Sequence, residues 1–243
     1  TEEIEIELDS TYIRCVIYGE FTTDTAVHKV TVSRTADYFN NESPQGISGA
    51  EVWISDGDND YHLTEDPEQA GVYFTGDNVF GLPGVSYTLY VENVDLLGDG
   101  NFTSYQATSK ILPVAEPDSI KAFYQSQWQG WVVQAYAQDP EETKDYYKFL
   151  ISINGEQHTD SLHNMIITDD TFFNGSYTNG VVIYYMFGED ALVAGDTITA
   201  GFCGITEDYY KYIVEAQTAS RPSVPLFSGA PANPRTNFSN DAI

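Results

Sequence analysis

Apolar and polar positions alternate over short stretches along most of this chain. In YTLYVEN, Tyr87, Leu89 and Val91 share one face while Thr88, Tyr90 and Glu92 share the other, the period of a half-buried strand. Similar short runs predict strands at Tyr12–Phe21, His28–Arg34, Ala50–Ser55, Tyr61–Thr64, Val72–Thr75, Tyr87–Glu92 and Tyr105–Ile111. Turn clusters at Asn40–Gly46, Asp56–Asp60, Gly81–Gly84 and Gly98–Asn101 separate them. Seven short strands at this spacing predict an immunoglobulin-like β-sandwich. Before it, residues 1–10 are acidic with alternating Ile4, Ile6 and Leu8, and read as a tether that can finish as an edge strand.

Leu112–Asp118, LPVAEPD, combines two prolines with two acids and marks a boundary. The expected domains are therefore 1–114 and 115–243. The second half carries strand candidates at Ser119–Gln127, Trp131–Ala137, Tyr146–Ile153, Met165–Thr168, Val181–Phe187 and Thr197–Ile205. Trp131–Ala137 and Tyr146–Ile153, joined by the polar Gln138–Asp145, read as a long hairpin at the centre of a second antiparallel β-domain. One helix is predicted over 206–217. Thr206 suits its N-cap, Glu207 and Asp208 its first turn, and Tyr209, Tyr212, Ile213 and Ala216 recur at helical spacing. The proline-rich stretch from Arg221 onward is expected to run extended over the surface. The fold class is thus all-β with one short helix.

Charge narrows the partners. Ten Lys and Arg against 37 Asp and Glu leave a net charge of −27, which repels phosphate backbones and argues against a nucleic-acid partner. Cys15 and Cys203 lie in strand-like runs of different halves and read as two buried free thiols. No apolar run reaches the ~18 residues that span a bilayer. The opening TEEIEIELDS reads as the start of a mature, processed chain or of a trimmed one.

Candidate chemistry is sparse. Asp56-Gly57-Asp58-Asn59-Asp60 starts like a calcium loop, but the EF-hand positions that require Gly and Glu hold Tyr61 and Pro67, so a tight acidic hairpin turn is expected. His28, His62, His158 and His163 form no metal-binding pair, and no nucleophile motif appears. No metal, cofactor or catalytic residue is therefore predicted, and the chain reads as non-enzymatic. Binding candidates are aromatic. The loop Asp169–Gly180, DDTFFNGSYTNG, carries Phe172, Phe173 and Tyr177 among residues that permit tight turns. The two phenylalanines either project as anchors or fold back to cap the core. Trp128, before Gln129-Gly130, is a candidate exposed anchor, whereas Trp131 is expected in the core and Tyr136 on the opposite face. Asp24-Thr25-Ala26, Asp118-Ser119-Ile120, Asp160-Ser161-Leu162 and Asp196-Thr197-Ile198 are similar to O-glycosylation triplets of extracytoplasmic Bacteroidota proteins.

Several stretches in their order carry a family resemblance: TEEIEIELDS, YGEFTTDTAVHKVTVSRTADYF, ISGAEVWISDG, GLPGVSYTLYVE, QDPEETKDYYKF, FFNGSYTNGV, GDTITAGFCGITEDYYKYI and PANPRTNFSN. Together they resemble the domain of unknown function 4249 family of Bacteroidota cell-envelope lipoproteins over nearly the whole chain. The family pattern continues past Asn240–Ile243 into a further apolar strand. The resemblance implies an outer-membrane lipid anchor and a partner, a TonB-dependent receptor, beside which the protein assists uptake of a nutrient, glycan or peptide. It supplies no catalytic residues. Two rival readings are a glycan-binding or adhesion module acting without a transporter, and a hydrolase with a cleft between its domains.

Overall fold

A computed structural model describes residues 13–35, 44–188, 191–220 and 234–239. The tether expected over 1–10 and most of the extended C-terminal segment lie outside these residues. The chain forms two compact units, Thr1–Lys110 with Thr236–Ile243, and Ile111–Arg235.

Among its described residues the first unit carries nine strands: β1 (Cys15–Gly19), β2 (Lys29–Arg34), β3 (Gln45–Gly46), β4 (Glu51–Ser55), β5 (Asp60–His62), β6 (Thr64–Glu65), β7 (Val72–Phe74), β8 (Ser86–Asp95) and β9 (Phe102–Lys110). One antiparallel sheet has the order β1-β2-β7-β6, with β3 beside β2, and the other the order β5-β4-β8-β9. In immunoglobulin lettering these are A-B-E-D and C′-C-F-G, so the unit is an immunoglobulin-like sandwich. Alternate residues point inward: Val30 and Val32 from β2, Val52 and Ile54 from β4, Tyr87 and Val91 from β8. The alternation in β8 then slips by one. Asn93 takes a left-handed φ of 58°, the pairing register shifts between Val91 and Val94, and Val94 turns inward in its place. Near the start of β8 the Tyr87 hydroxyl accepts a hydrogen bond from the Leu82 N–H at 3.0 Å, the tyrosine corner of such sandwiches. Trp53 is not the core tryptophan seen in antibody domains. It stacks on Tyr90 from the neighbouring strand, with ring centroids 4.9 Å apart.

The expected strand Tyr61–Thr64 is two strands in different sheets. β5 pairs with β4, Leu63 buries its side chain and donates its N–H to Val52 O, and β6 then pairs with β7. The acidic stretch Asp56–Asn59 is a hairpin turn, closed by the Asp56 carboxylate, which accepts from the N–H groups of Asp58 and Asn59.

The second unit carries β10 (Pro117–Gln125), β11 (Gly130–Ala137), β12 (Tyr146–Ile153), β13 (Glu156–Gln157), β14 (Ile166–Asp169), β15 (Val181–Phe187), β16 (Ile198–Gly204) and α1 (Glu207–Ala219). Here the hairpin expectation fails. β11 and β12 do not pair: β11 lies between β10 and β15, and β12 lies between β16 and β14, with β13 on its far end. The two sheets face each other across one core. Val133, Ala135 and Ile183 from the first meet Tyr147, Phe149 and Ile151 from the second. Gln138–Asp145 is therefore an arch from sheet to sheet.

The cause is burial on both faces. One face of β12 joins the sandwich core while the other, through Tyr146, packs with Ile205 and Ile213 under α1. A strand covered on both faces and paired on both edges has no edge left for β11. α1 follows its capping signals. Thr206 Oγ1 accepts from Tyr209 N–H, and Glu207 pairs with Lys211 at 2.8 Å.

Cys15 and Cys203 are not joined in a disulfide; Cys15 is buried as expected, but Cys203 is only half-buried. Burial pushes the Cys15 thiol up to about 12, which leaves it an inert thiol at neutral pH. Among the described residues no helix is long and apolar enough to cross a membrane, which says nothing of strands.

Candidate functional site

The aromatic loop after β14 is built from tight turns. The Phe173 and Asn174 N–H groups both donate to Asp170 O at 2.8 Å, Ser176 N–H donates to Phe173 O, and Gly175 holds φ at 70°. This frame separates the two phenylalanines. Phe172 is 96% exposed, whereas Phe173 packs against the sandwich core beside the Tyr147 ring. Tyr177 is about half exposed and bridges to Gln138 at the end of β11. Its phenol is raised by partial desolvation and by the Asp118 carboxylate it bonds to.

Trp128 sits at the other end of β11, in the turn between β10 and β11. Eight strand residues at about 3.3 Å each put it roughly 25 Å from the Tyr177 bridge. The candidate residues thus form two places. Trp131, as expected, packs on the core, and Tyr136 bonds to Gln134 instead of joining it.

The Trp128 turn is held rigidly. Trp128 N–H donates to Gln125 O, Gln129 N–H to Ser126 O, and Gly188 N–H to Gln129 O at 3.0 Å. Gln129 adopts φ 52°, and the next residue must be glycine: a Cβ at Gly130 would lie 2.3 Å from Met186 O and 2.6 Å from the Tyr185 hydroxyl oxygen. That hydroxyl donates to the Trp128 carbonyl. The rings form a continuous strip: Trp128 and Tyr185 meet edge to face at 6.0 Å, and Tyr185 and Phe187 at 4.6 Å. Trp128 is 51% exposed and Phe187 82%. With Tyr124, Ser126, Gln129 and Gly188 they line an open concavity of about 590 Å³, within the ~300–1,000 Å³ usual for small-molecule sites. None of these described lining residues is charged.

At the arch end, three carboxylates converge. Asp139, Asp145 and Asp170 each bring an oxygen to within 4.8 Å of the others, and Asp139 and Asp170 are almost fully buried. Each already accepts from a group of the chain. Asp139 accepts from the Tyr147 hydroxyl at 2.6 Å and from the Gly175 N–H at 3.2 Å; Asp170 accepts from the Asp145 N–H at 2.7 Å; Asp145 accepts from the Thr143 hydroxyl at 2.6 Å. Burial and the like charges of Asp139 and Asp170 raise the Asp145 carboxyl. Among the described residues these three are the group placed to contribute to a hard-cation site, and three such oxygens are half of the smallest shell a Ca²⁺ ion takes. The internal bonds give them a structural service as well, pinning the arch to the loop after Asp170. Beside them the core holds a cavity of about 30 Å³, room for about one water.

Sequence reasoning marked Trp128 as a binding candidate but gave no such role to Tyr124, Ser126, Gln129, Tyr185 or Phe187. A weak signal existed in Tyr185-Met186-Phe187-Gly188, where an apolar strand runs outward to a glycine. The acidic triad had none, since its members are three of 37 acids at no motif spacing.

A family model described as Domain of unknown function (DUF4249) matches residues 1–242. Neither the comparison with curated proteins nor that with solved structures found a match to the chain.

Proposed function

The chain belongs to the DUF4249 family, and on that footing we propose that it is a non-enzymatic, lipid-anchored protein of the outer membrane that captures a nutrient for a TonB-dependent receptor. One observation carries the reading. The second unit keeps two rings exposed, Trp128 on the hydrogen-bonded turn between β10 and β11 and Phe187 at the end of β15, which Gly188 N–H ties to that turn. Exposed aromatics cost solubility, and a fixed aromatic wall around a concavity suits capture of a ligand. The reading also gives Phe172 a role, as the single fully exposed ring on its loop, fit to anchor the chain on a protein partner.

The test is purification of the tagged protein from detergent-extracted native envelopes. Co-elution of a β-barrel receptor in near-equal amount is expected, with radiolabelled fatty acid on the protein. Phe172→Ser is expected to reduce the receptor recovered. Recovery from the outer membrane without any barrel, at several detergents, would sink the accessory role and favour an adhesion module that uses the same concavity.

A further inference from the structure

Resting on that capture reading, we propose that the concavity around Trp128 binds a neutral carbohydrate chain, one pyranose stacking its C–H face on the indole while Ser126 and Gln129 meet its hydroxyls. The chemistry of the lining selects this class. It joins aromatic surface to neutral hydrogen-bonding groups, with no charged side chain among the described lining residues. An anion finds no cation among the described lining residues and meets a chain of net charge −27. A purely apolar ligand gains most from an enclosed pocket, and this concavity is open. A sugar has both surfaces in one ring: an apolar face for stacking and a rim of hydroxyls.

Ring geometry decides against the other neutral-wall alternative, a quaternary ammonium in an aromatic cage. A cage needs several ring faces converging on one point. Here the rings meet each other edge to face along a strip, Trp128 to Tyr185 to Phe187. A strip suits successive units of an extended chain. Its openness lets such a chain pass through, so internal segments bind as well as ends. The walls are preorganised: the Trp128 backbone is bonded at both its N–H and its carbonyl, and the Gly188 N–H ties the end of β15 to Gln129. Little ordering is left for the ligand to drive.

The full chain is titrated with maltohexaose, cellohexaose and mannohexaose, followed by calorimetry and tryptophan fluorescence. Oligogalacturonate and choline chloride serve as charged probes. At least one neutral hexasaccharide is expected to bind and to shift the indole emission. Trp128→Ala and Phe187→Ala are each expected to weaken it about tenfold or more, as truncated hot-spot aromatics do. Trp128→Tyr keeps most of the affinity, and Trp53→Ala, in the other unit, leaves it unchanged. Melting temperatures within ~2 °C of the parent show the exposed-residue variants to be folded. The proposal is overturned if no neutral probe binds up to about 10 mM, if binding survives Trp128→Ala, or if only a charged probe binds. A receptor that co-purifies while every neutral sugar fails removes the carbohydrate assignment and leaves the accessory role standing. A sugar that binds while no receptor co-purifies does the reverse.

Discussion

Phe172 and Phe173 are chain neighbours with opposite environments, one in solvent and one on the core beside Tyr147. A joint substitution would mix the two effects, so they are tested singly. Phe172→Ser is expected to change stability by no more than about 0.5 kcal/mol, the range of ordinary surface substitutions. Phe173→Ser is expected to lose about 2–4 kcal/mol, somewhat below full-core phenylalanine truncation because the ring is only partly buried. Urea unfolding reads both. Asp145 supplies a pH prediction. Its carboxyl is raised by burial and by Asp139 and Asp170, so the folded state holds its proton longer than the unfolded chain does. Its contribution is therefore fully present below the unfolded value and is lost as pH rises through the window up to the folded one. Asp56, Asp99, Glu65, Asp196, Glu207 and Glu215 are lowered and act in the opposite direction, so the difference between two proteins isolates Asp145. Asp145→Asn, which can still accept from Thr143, is expected to melt higher than the parent at neutral pH in chelator, with the advantage vanishing on acidification. A lower melting temperature at neutral pH would show the carboxylate to be a net stabiliser.

At the scale of elements, the turn between β10 and β11 shows how a local constraint shapes a site. At Gly130 the β15 backbone and the Tyr185 ring leave no room for a Cβ, and the Tyr185 hydroxyl donates to the Trp128 carbonyl. Gly130→Ala puts a methyl group where Met186 O already lies, and the obstacle is backbone, which yields at high cost. The variant is expected to lose about 2–3 kcal/mol of stability and to alter the near-ultraviolet signal of the Trp128–Tyr185 pair. Unchanged stability would mean that β15 can move away and that the aromatic strip is not rigidly set.

For the whole molecule the governing quantity is charge. With 37 acids against 10 basic residues, compaction works against self-repulsion. The ion pairs Glu207–Lys211 and Glu215–Arg235, among the described residues, sit at the surface, where such pairs add little that salt can remove. Screening therefore relieves more repulsion than attraction. Raising NaCl from about 20 mM to about 0.5 M shortens the screening length several-fold, and the melting temperature is expected to rise. A fall would show that attractive surface pairs dominate.

Strand-period alternation in the first unit and the capping pattern at Thr206 were enough to read the all-β class, the immunoglobulin-like sandwich and the helix after Thr206 from the residues alone. Those features are local: side-chain direction repeats every second residue in a strand, and a cap is satisfied within one turn. Which strands pair is not local. Tyr146–Ile153 is apolar at nearly every position, which signals burial on both faces but names no neighbour. Only the tertiary structure placed β16 and β14 on its edges and α1 on its outer face, turning the expected hairpin into an arch. Gln138–Asp145 was already long for a hairpin loop, whose usual length is about 2–5 residues. The sites divide in the same way. Trp128 was legible because a tryptophan before a glycine turn stands out in one segment. Its companions Tyr185 and Phe187, and the convergence of Asp139, Asp145 and Asp170, come from segments tens of residues apart, joined by pairing and packing that no single stretch encodes.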